Sequence, residues 1–412
     1  MRILLSISRI LIGAVFIFSG FVKAIDPLGT KYKIIDYMEV FGLDYLDSLA
    51  LTLSIIQNSL ELVIGLCLVL KIRMRVTAVA LMIFMGIFLP LTLYIAIANP
   101  VTDCGCFGDA LILTNWQTFF KNLIFMVPTL IVFWFRKNYT ERFNNSTEWT
   151  VASLLTLGVV VLSVHCLRNL PMIDFRPFKV GVNIPKSMEY PEGAAQPEFS
   201  TTMIYEKDGV QQEFEMDNIP WQDTTWKWGE TKNVMISKGY EPPIHDFSFS
   251  SLDGYEITDE LLYENEYSLL VAAYNLEETN IKHWEKVQQF ISGFKEAGIK
   301  SYILTASITT SIEDFKNRNI TDTEIYLADD VTLKTMVRAN PGVMLLHKGN
   351  IIGKWHARNI PLENFDYNYP LNSSIDYMRG QQNSKWVHWF YLMLAIVYLL
   401  IEYATQLAKR KS

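Results

Sequence analysis

Six apolar stretches, each long enough to cross a lipid bilayer, constrain this chain more than any other feature. A helix needs about 20 mostly apolar residues to span the hydrocarbon core. Runs of that length lie at residues 3–22, 49–70, 76–98, 116–135, 149–167 and 386–403. Trp116, Trp149 and Trp386 each stand at the start of a run, where a tryptophan ring suits the membrane–water interface. We therefore predict a polytopic α-helical membrane protein with six spans.

Charged residues divide the chain into an acidic part and a basic part. Residues 169–384 carry 32 acidic and 19 basic side chains, a net charge of −13. The remaining residues are largely apolar and carry a net charge of +6, which accounts for the overall charge of −7. This pattern indicates a water-soluble domain attached to a membrane-embedded part. Its acidity argues against nucleic acid as a partner, and leaves membrane lipid and other proteins.

Basic residues also predict the orientation, because Lys and Arg in short loops stay on the cytoplasmic side. With six alternating spans, ten such residues near the helix ends fall on one side and five on the other. Both termini are then cytoplasmic, and residues 23–48, 99–115 and 169–384 lie outside. The first run contains Arg9 and lacks a convincing small-residue cleavage site, so we interpret it as a span rather than a signal peptide. The predicted location is a bacterial inner membrane with a large periplasmic domain.

The chain has four cysteines, namely Cys67, Cys104, Cys106 and Cys166. The last three fall on the predicted outer side, where disulfides persist. Gly105 separates Cys104 from Cys106, and such a pair suits thiol–disulfide exchange in which one thiol attacks and the other resolves. Cys166 is then a candidate third partner. A structural bridge to Cys166 and a metal held by thiolates are the alternatives, although two cysteines without nearby histidines make a poor zinc site.

Charged residues inside the predicted spans are the second candidate site. Arg9, Glu61 and Lys121 lie at membrane depth, where a charged side chain needs a partner and faces the helix bundle. Arg9 and Glu61 have opposite signs and are expected to pair. One interpretation is a polar pocket for a cofactor or a proton. The other is a structural ion pair that fixes helix packing.

Several of these residues carry a family resemblance. They are Arg9-Ile10-Leu11-Ile12-Gly13, Phe18-Ser19-Gly20-Phe21-Val22-Lys23, Glu61 and Cys104-Gly105-Cys106-Phe107-Gly108. Over residues 1–137 the chain resembles the DoxX-like membrane proteins, and among them the methylamine utilisation protein MauE family. The resemblance implies a four-helix membrane bundle and a role in maturing a disulfide-rich exported enzyme subunit. Nothing else in the sequence indicates methylamine metabolism.

The resemblance also suggests a cofactor. DoxX relatives are associated with quinone-linked sulfur oxidation. The cysteine pair at the outer end of the fourth helix is also similar to that of the vitamin K epoxide reductase fold, in which such a pair hands electrons to a quinone. We therefore expect quinone as a candidate electron partner, near Arg9, Glu61 and Lys121.

Beyond the four-helix bundle, we predict a fifth span over residues 138–168 that leads outward and an α/β domain over residues 242–384. That domain resembles thioredoxin-like domains, with Asn340 and Pro341 standing where the family has its cis-proline before a hairpin. Where the family carries Cys-x-x-Cys, this chain reads Asn275-Leu276-Glu277-Glu278-Thr279-Asn280. No cysteine occurs between residues 169 and 384, so the domain cannot perform thiol exchange by itself.

Residues 169–241 are predicted to connect the fifth span to this domain and to contain a β-hairpin at 203–214. Trp226 lies in this region with Trp221 and Trp228. These three residues either pack together in a core or form an exposed interaction patch. Residues 385–412 complete the chain as the sixth span and a basic cytoplasmic tail.

Two functions follow from these observations. The first is envelope thiol redox or assembly of exported proteins, with Cys104 and Cys106 as the redox pair and no metal. The second is a non-catalytic scaffold whose cysteine-free domain recruits partner proteins through Asn340, Pro341 and Trp226, because the groove beside a cis-proline accepts an extended chain. Whether the protein is an enzyme depends on which of the two holds. A transporter is disfavoured because the spans show no repeat symmetry.

Overall fold

In the computed structural model, the described residues are 2–382, apart from 141–142, 196–197, 208–209, 216–217, 219–222, 224, 238, 246, 265, 319–320 and 322. Five helices in this part of the chain are long and apolar enough to cross a membrane, which confirms a polytopic helical membrane domain. The sixth predicted span, residues 386–403, lies outside the described residues.

Within the described residues, the membrane part contains five long helices and one shorter helix. In chain order they are α1 (Arg2–Ile25), α2 (Pro27–Val40), α3 (Ala50–Leu70), α4 (Met74–Ala98), α5 (Asn115–Trp134) and α6 (Asn145–Arg168), of which α2 is the shorter. The sequence predicted a four-helix bundle followed by a fifth span that leads outward. Helix α6, at the place of that fifth span, packs on α1 and α3, and Ser163 Oγ donates a 3.0 Å hydrogen bond to the carbonyl oxygen of Ala24. We call α1 to α6, with the segments that connect them, the bundle.

Glycines bring the backbones of α1 and α3 into direct contact. A Cβ atom at Gly20 would lie 2.5 Å from the backbone nitrogen of Leu62, and one at Gly65 would lie 2.6 Å from that of Ile17. Small residues permit such close helix crossings in membranes, where packing rather than the hydrophobic effect holds helices together. Helices α1 and α3 therefore pack backbone to backbone along this stretch.

Helix α2 lies in a segment for which the sequence analysis predicted no element. Asp26 caps its first turn by accepting a 3.1 Å hydrogen bond from the Gly29 amide, and Pro27 occupies the first helical position. Its apolar and polar residues are mixed around the axis, so the 3.6-residue pattern that predicts helices is weak.

After a short helix α7 (Ile184–Met188), the connecting region forms a three-stranded antiparallel sheet. Its strands are β1 (Glu198–Lys207), β2 (Val210–Glu215) and β3 (Lys227–Ser237), in the order β2-β1-β3. The predicted hairpin lies within β1 and β2, where Met203 pairs with Phe214. Strand β3 was not predicted.

Residues 242–382, which we call the sheet domain, contain a six-stranded mixed sheet. The strands are β4 (Phe249–Ser250), β5 (Tyr267–Ala272), β6 (Lys300–Thr305), β7 (Ile325–Ala328), β8 (Gly342–His347) and β9 (Asn350–His356). The helices are α8 (Ile281–Glu296), α9 (Thr309–Asn317), α10 (Asp330–Met336) and α11 (Pro370–Gln382). The strand order is β4-β7-β6-β5-β8-β9, with β5 parallel to β6 and antiparallel to β8. The Asn340–Pro341 peptide bond before β8 is cis.

Both faces of this sheet are covered. Leu269 and Val271 of β5 are buried among residues of α8 and α9 on one face. Leu270 and Ala272, which alternate with them, are buried on the other face against α10 and the segment around Phe178.

The contact between α1 and α3 gives a testable prediction. Replacing Gly20 with Ala should lower the free energy of unfolding in detergent by about 1–3 kcal/mol, because the new methyl group meets backbone atoms. Gly86→Ala on α4 is the matched control, since apart from the neighbouring backbone of α4 no atom of the described residues lies within 4 Å of its added Cβ. Equal thermal stability of the two variants would contradict the packing described.

Candidate functional site

The candidate site is centred on the loop between α4 and α5, residues 99–114, which we call the cysteine loop. It brings the sulfur atoms of Cys104 and Cys106 together, with Cα atoms 5.5 Å apart, a separation at which two cysteines can be bridged. Gly105 has a φ of +64° and Gly108 a φ of +51°, values that glycine adopts most readily. Both cysteines are half-buried, so the pair lies at the edge of the bundle rather than in its core.

Helix α2 covers one side of this loop. Lys33 forms a 2.9 Å ion pair with Asp103, whose other oxygen accepts a 2.8 Å hydrogen bond from the Gly105 amide. The Tyr37 hydroxyl donates to the Cys104 carbonyl oxygen at 3.2 Å. A Cβ atom at Gly105 would approach Lys33 Cγ to 3.0 Å, so α2 lies close against the turn.

Helix α1 also contacts the cysteine loop. Ser19 Oγ donates to the Cys106 carbonyl oxygen, and a Cβ atom at Gly108 would lie 3.2 Å from Val22. The backbone of the cysteine pair is therefore held by side chains from two helices.

One turn beyond Ser19, α1 carries a charged residue whose partner the sequence did not predict. Lys23 forms an ion pair with Glu61 of α3, and each side chain is 6% exposed. Asn58 donates a 2.9 Å hydrogen bond to the Lys23 carbonyl oxygen and a 3.2 Å one to Thr30. Each charge of this pair thus has a partner of opposite sign at membrane depth.

The expected pairing of Arg9 with Glu61 is wrong. Arg9 lies 14 residues before Lys23 on α1, about 20 Å along the helix axis. Its guanidinium donates to the carbonyl oxygens of Leu68 and Val69, the latter at 2.7 Å. These carbonyls belong to the last turn of α3, where the helix itself supplies no N–H donors for them. Arg9 therefore caps α3 at the end of the bundle opposite the cysteine loop.

Lys121 of α5, in contrast, lies near the cysteine loop. Its ammonium group is 4.3 Å from the ring centroid of Phe107, the residue directly after Cys106. It is also within electrostatic reach of Lys23 and Glu61. Of the three charged residues predicted for a cofactor, the structure brings Lys121 and Glu61 to the same end of the bundle and Arg9 to the other.

The remaining thiols do not join the pair. Cys166, near the end of α6, and Cys67, in α3, are both buried and unpaired among the described residues. Within the same residues, no group of three or more histidine, cysteine or acidic side chains is placed to hold a metal ion.

The sheet domain contacts the bundle through one buried arginine that sequence reasoning missed. Arg338 forms 2.9 Å ion pairs with Asp26, before α2, and with Asp109 of the cysteine loop. Its side chain is 7% exposed, and its third nitrogen donates to the Lys334 carbonyl oxygen at 2.7 Å. Burial alone would raise the pKa of Asp26, but Arg338 and Arg176 outweigh it and hold that pKa below its usual value.

Aromatic residues extend this contact. The hydroxyls of Tyr32 on α2 and Tyr274 after β5 are 3.3 Å apart. Lys334 lies 4.9 Å from the Tyr32 ring centroid, and the Arg338 guanidinium lies 5.3 Å from it. Burial raises the pKa of Tyr32, so this phenol stays neutral at physiological pH.

The structure places the predicted partner-binding residues in two regions. Asn340 donates a 2.6 Å hydrogen bond to the Asn275 carbonyl oxygen, next to Tyr274, and Pro341 follows it before β8. This face of the sheet domain points toward α2. Trp226 packs instead on Phe214 within the three-stranded sheet, with ring centroids 5.1 Å apart. Trp221 lies outside the described residues.

The buried ion pair beneath the cysteine loop gives the next prediction. Lys23→Met and Glu61→Met should each destabilise the protein by about 3–5 kcal/mol, because each leaves a buried charge without its partner. The double variant removes both charges and should recover most of the loss. Thermal unfolding of the three variants in detergent is the measurement, and simple addition of the two losses would show that the charges do not act as a pair.

Two parts of the chain match family models. Residues 199–238, which cover the three-stranded sheet from the second residue of β1 onward, match a domain of unknown function, DUF8463. Residues 1–135 match the family described as methylamine utilisation protein MauE. No curated protein and no solved structure matches the chain. The MauE match covers α1 to α5 and the cysteine loop, so residues 1–135 form a MauE-family membrane domain.

Proposed function

We propose that this protein takes part in thiol redox chemistry or assembly of exported proteins, with Cys104 and Cys106 as the redox pair. One observation carries the proposal: a loop held by two helices keeps the two sulfur atoms together in a half-exposed position. A loosely placed pair would rarely meet, and a fully buried pair would not meet another protein's thiols. Cys166 is not needed for this chemistry.

Thiol–disulfide exchange at this pair balances as follows. A thiolate of an exported protein, the client, attacks one sulfur of the Cys104–Cys106 disulfide and forms a mixed disulfide. The client's second thiolate then attacks the mixed disulfide. The client leaves oxidised, and the protein is left with two thiols once the released thiolates take up protons. Restoring the disulfide requires an acceptor for two electrons and two protons.

A quinone is the class of acceptor that the DoxX resemblance suggests, and part of the site suits it. Lys121 supplies a hydrogen-bond donor, and it lies over the ring of Phe107, the residue directly after Cys106. Lys23 and Glu61 add a buried polar pair nearby. Arg9, at the opposite end of α1, has no part in such a site. When bound, a quinone would supply the oxidising power and leave as quinol.

The proposed setting is a bacterial inner membrane crossed six times, with residues 386–403 as the last span. Both termini are cytoplasmic, and the cysteine loop and sheet domain are periplasmic. We also propose that the sheet domain is thioredoxin-like, because β5, α8 and β6 are followed by β7, α10 and the β8–β9 hairpin in one sheet.

A second candidate function is a scaffold that recruits partner proteins. The observation that favours it is the absence of cysteine from residues 169–384, which leaves the domain without redox chemistry of its own. Trp228 on β3 is 62% exposed and would suit a protein contact.

Catalysed quinone reduction separates the two functions. Purified protein in detergent should speed the reduction of a soluble short-chain quinone by dithiothreitol, followed by absorbance. Cys104→Ser and Cys106→Ser should each reduce the rate to the uncatalysed background, because neither can form the internal disulfide. Cys67→Ser is the control, since Cys67 is buried and unpaired. Full activity in the Cys104 and Cys106 variants would favour the scaffold.

A further inference from the structure

Arg338 contacts two segments of the bundle that are distant from each other in sequence. Its Nε atom meets Asp26 and its Nη2 atom meets Asp109, each at 2.9 Å. Asp26 is the N-cap of α2, and Asp109 stands three residues after Cys106. One guanidinium therefore joins the start of α2 to the second half of the cysteine loop.

The fit around this guanidinium is close. A Cβ atom at Gly29, in the first turn of α2, would lie 3.2 Å from Arg338 Nη2 and 2.9 Å from Asp26. Tyr32, one turn further along α2, lies beneath the same guanidinium. Because α2 also carries Lys33 and Tyr37, which bind the first half of the cysteine loop, the position of α2 matters directly to the cysteine pair.

Three groups of contacts hold the part of the cysteine loop that surrounds the cysteine pair. Helix α2 holds Asp103 and Cys104, helix α1 holds Cys106, and the sheet domain holds Asp109 through Arg338. Only the third contact comes from outside the MauE-family domain.

We propose that Arg338 is a positioning residue: by binding Asp26 and Asp109 together, the docked sheet domain sets the conformation of the cysteine loop and with it the reactivity of Cys104 and Cys106. The sheet domain, which contains no cysteine, would in this way affect the chemistry of Cys104 and Cys106. The conformational part of the proposal concerns the loop alone and holds whether or not the pair exchanges electrons. The effect on reactivity rests on the proposed redox function.

Hydrogen–deuterium exchange of the full-length protein in detergent tests the positioning. In Arg338→Ala, the amides of Gly105 and Gly108 should exchange about tenfold faster, since a hydrogen bond to a charged group is worth about a factor of ten or more. The Gly29 amide, which Asp26 caps, should exchange faster too. Arg379→Ala is the matched control, because Arg379 is an exposed arginine of the same domain whose ion pair among the described residues is with Asp376 of the same helix, at 3.9 Å.

A milder variant keeps the test decisive if Arg338→Ala disturbs the sheet domain. Asp109→Asn leaves the contact between Arg338 and Asp26 in place, so it should release the cysteine loop and leave the Gly29 amide protected. Arg338→Lys keeps the charge but cannot bind two carboxylates in a fork, and should give intermediate exchange. Unchanged exchange at Gly105 and Gly108 in both Arg338→Ala and Asp109→Asn would overturn the proposal.

Equilibration with glutathione buffers at pH 7 tests the effect on reactivity. The contacts of Arg338 with Asp26 and Asp109 favour the loop conformation in which the two sulfur atoms meet. Losing them should shift the equilibrium between disulfide and dithiol about tenfold toward the dithiol, which is about 30 mV for two electrons. If glutathione cannot reduce the pair in the wild-type protein, the proposed redox function is contradicted. The hydrogen–deuterium exchange result then shows by itself whether Arg338 positions the cysteine loop. A pair that equilibrates equally in wild type and both variants overturns the link between Arg338 and reactivity.

Discussion

The ion pairs of Arg338 with Asp26 and Asp109 join the two halves of this protein. A buried guanidinium is stable only when its charge and its donors are matched, and this one meets two carboxylates and a backbone carbonyl. Removing a partner would leave a charge in a dehydrated contact. The sheet domain is consequently tied to the bundle at the place where the cysteine loop and the start of α2 come together.

Packing of α1 and α3 within the bundle positions the residues that contact the cysteine loop. The glycine contacts of α1 and α3 align Lys23 with Glu61, and the same stretch of α1 presents Ser19 to the Cys106 carbonyl oxygen. Burial of unpaired charge at membrane depth is costly, so the ion pair and the helix packing depend on each other. The packing of the membrane helices and the conformation of the cysteine loop therefore depend on the same stretch of α1.

Local patterns predicted some of this structure and could not predict the rest. Five spans were found because length and apolar content alone define them, and the cysteine loop was found because Cys-Gly-Cys is a contiguous motif. Arg338 was missed because its partners are 312 and 229 residues away, and no local pattern links such positions. Arg9 was paired wrongly because charge sign gives no information about depth, whereas helix rise places Arg9 and Glu61 at opposite ends. Helix α2 escaped notice because its apolar residues do not form one face.

The central claim is that Cys104 and Cys106 form a reversible redox pair at the membrane surface, and thiol alkylation with mass spectrometry tests it most directly. The purified protein would be reduced, freed of reductant, and alkylated before and after addition of a quinone. The account predicts two alkylated cysteines at these positions before quinone and none after it, while Cys67 and Cys166 are unaffected. A pair that stays alkylatable in the presence of quinone, or that cannot be reduced at all, would contradict the claim and leave the bundle as an anchor for the sheet domain.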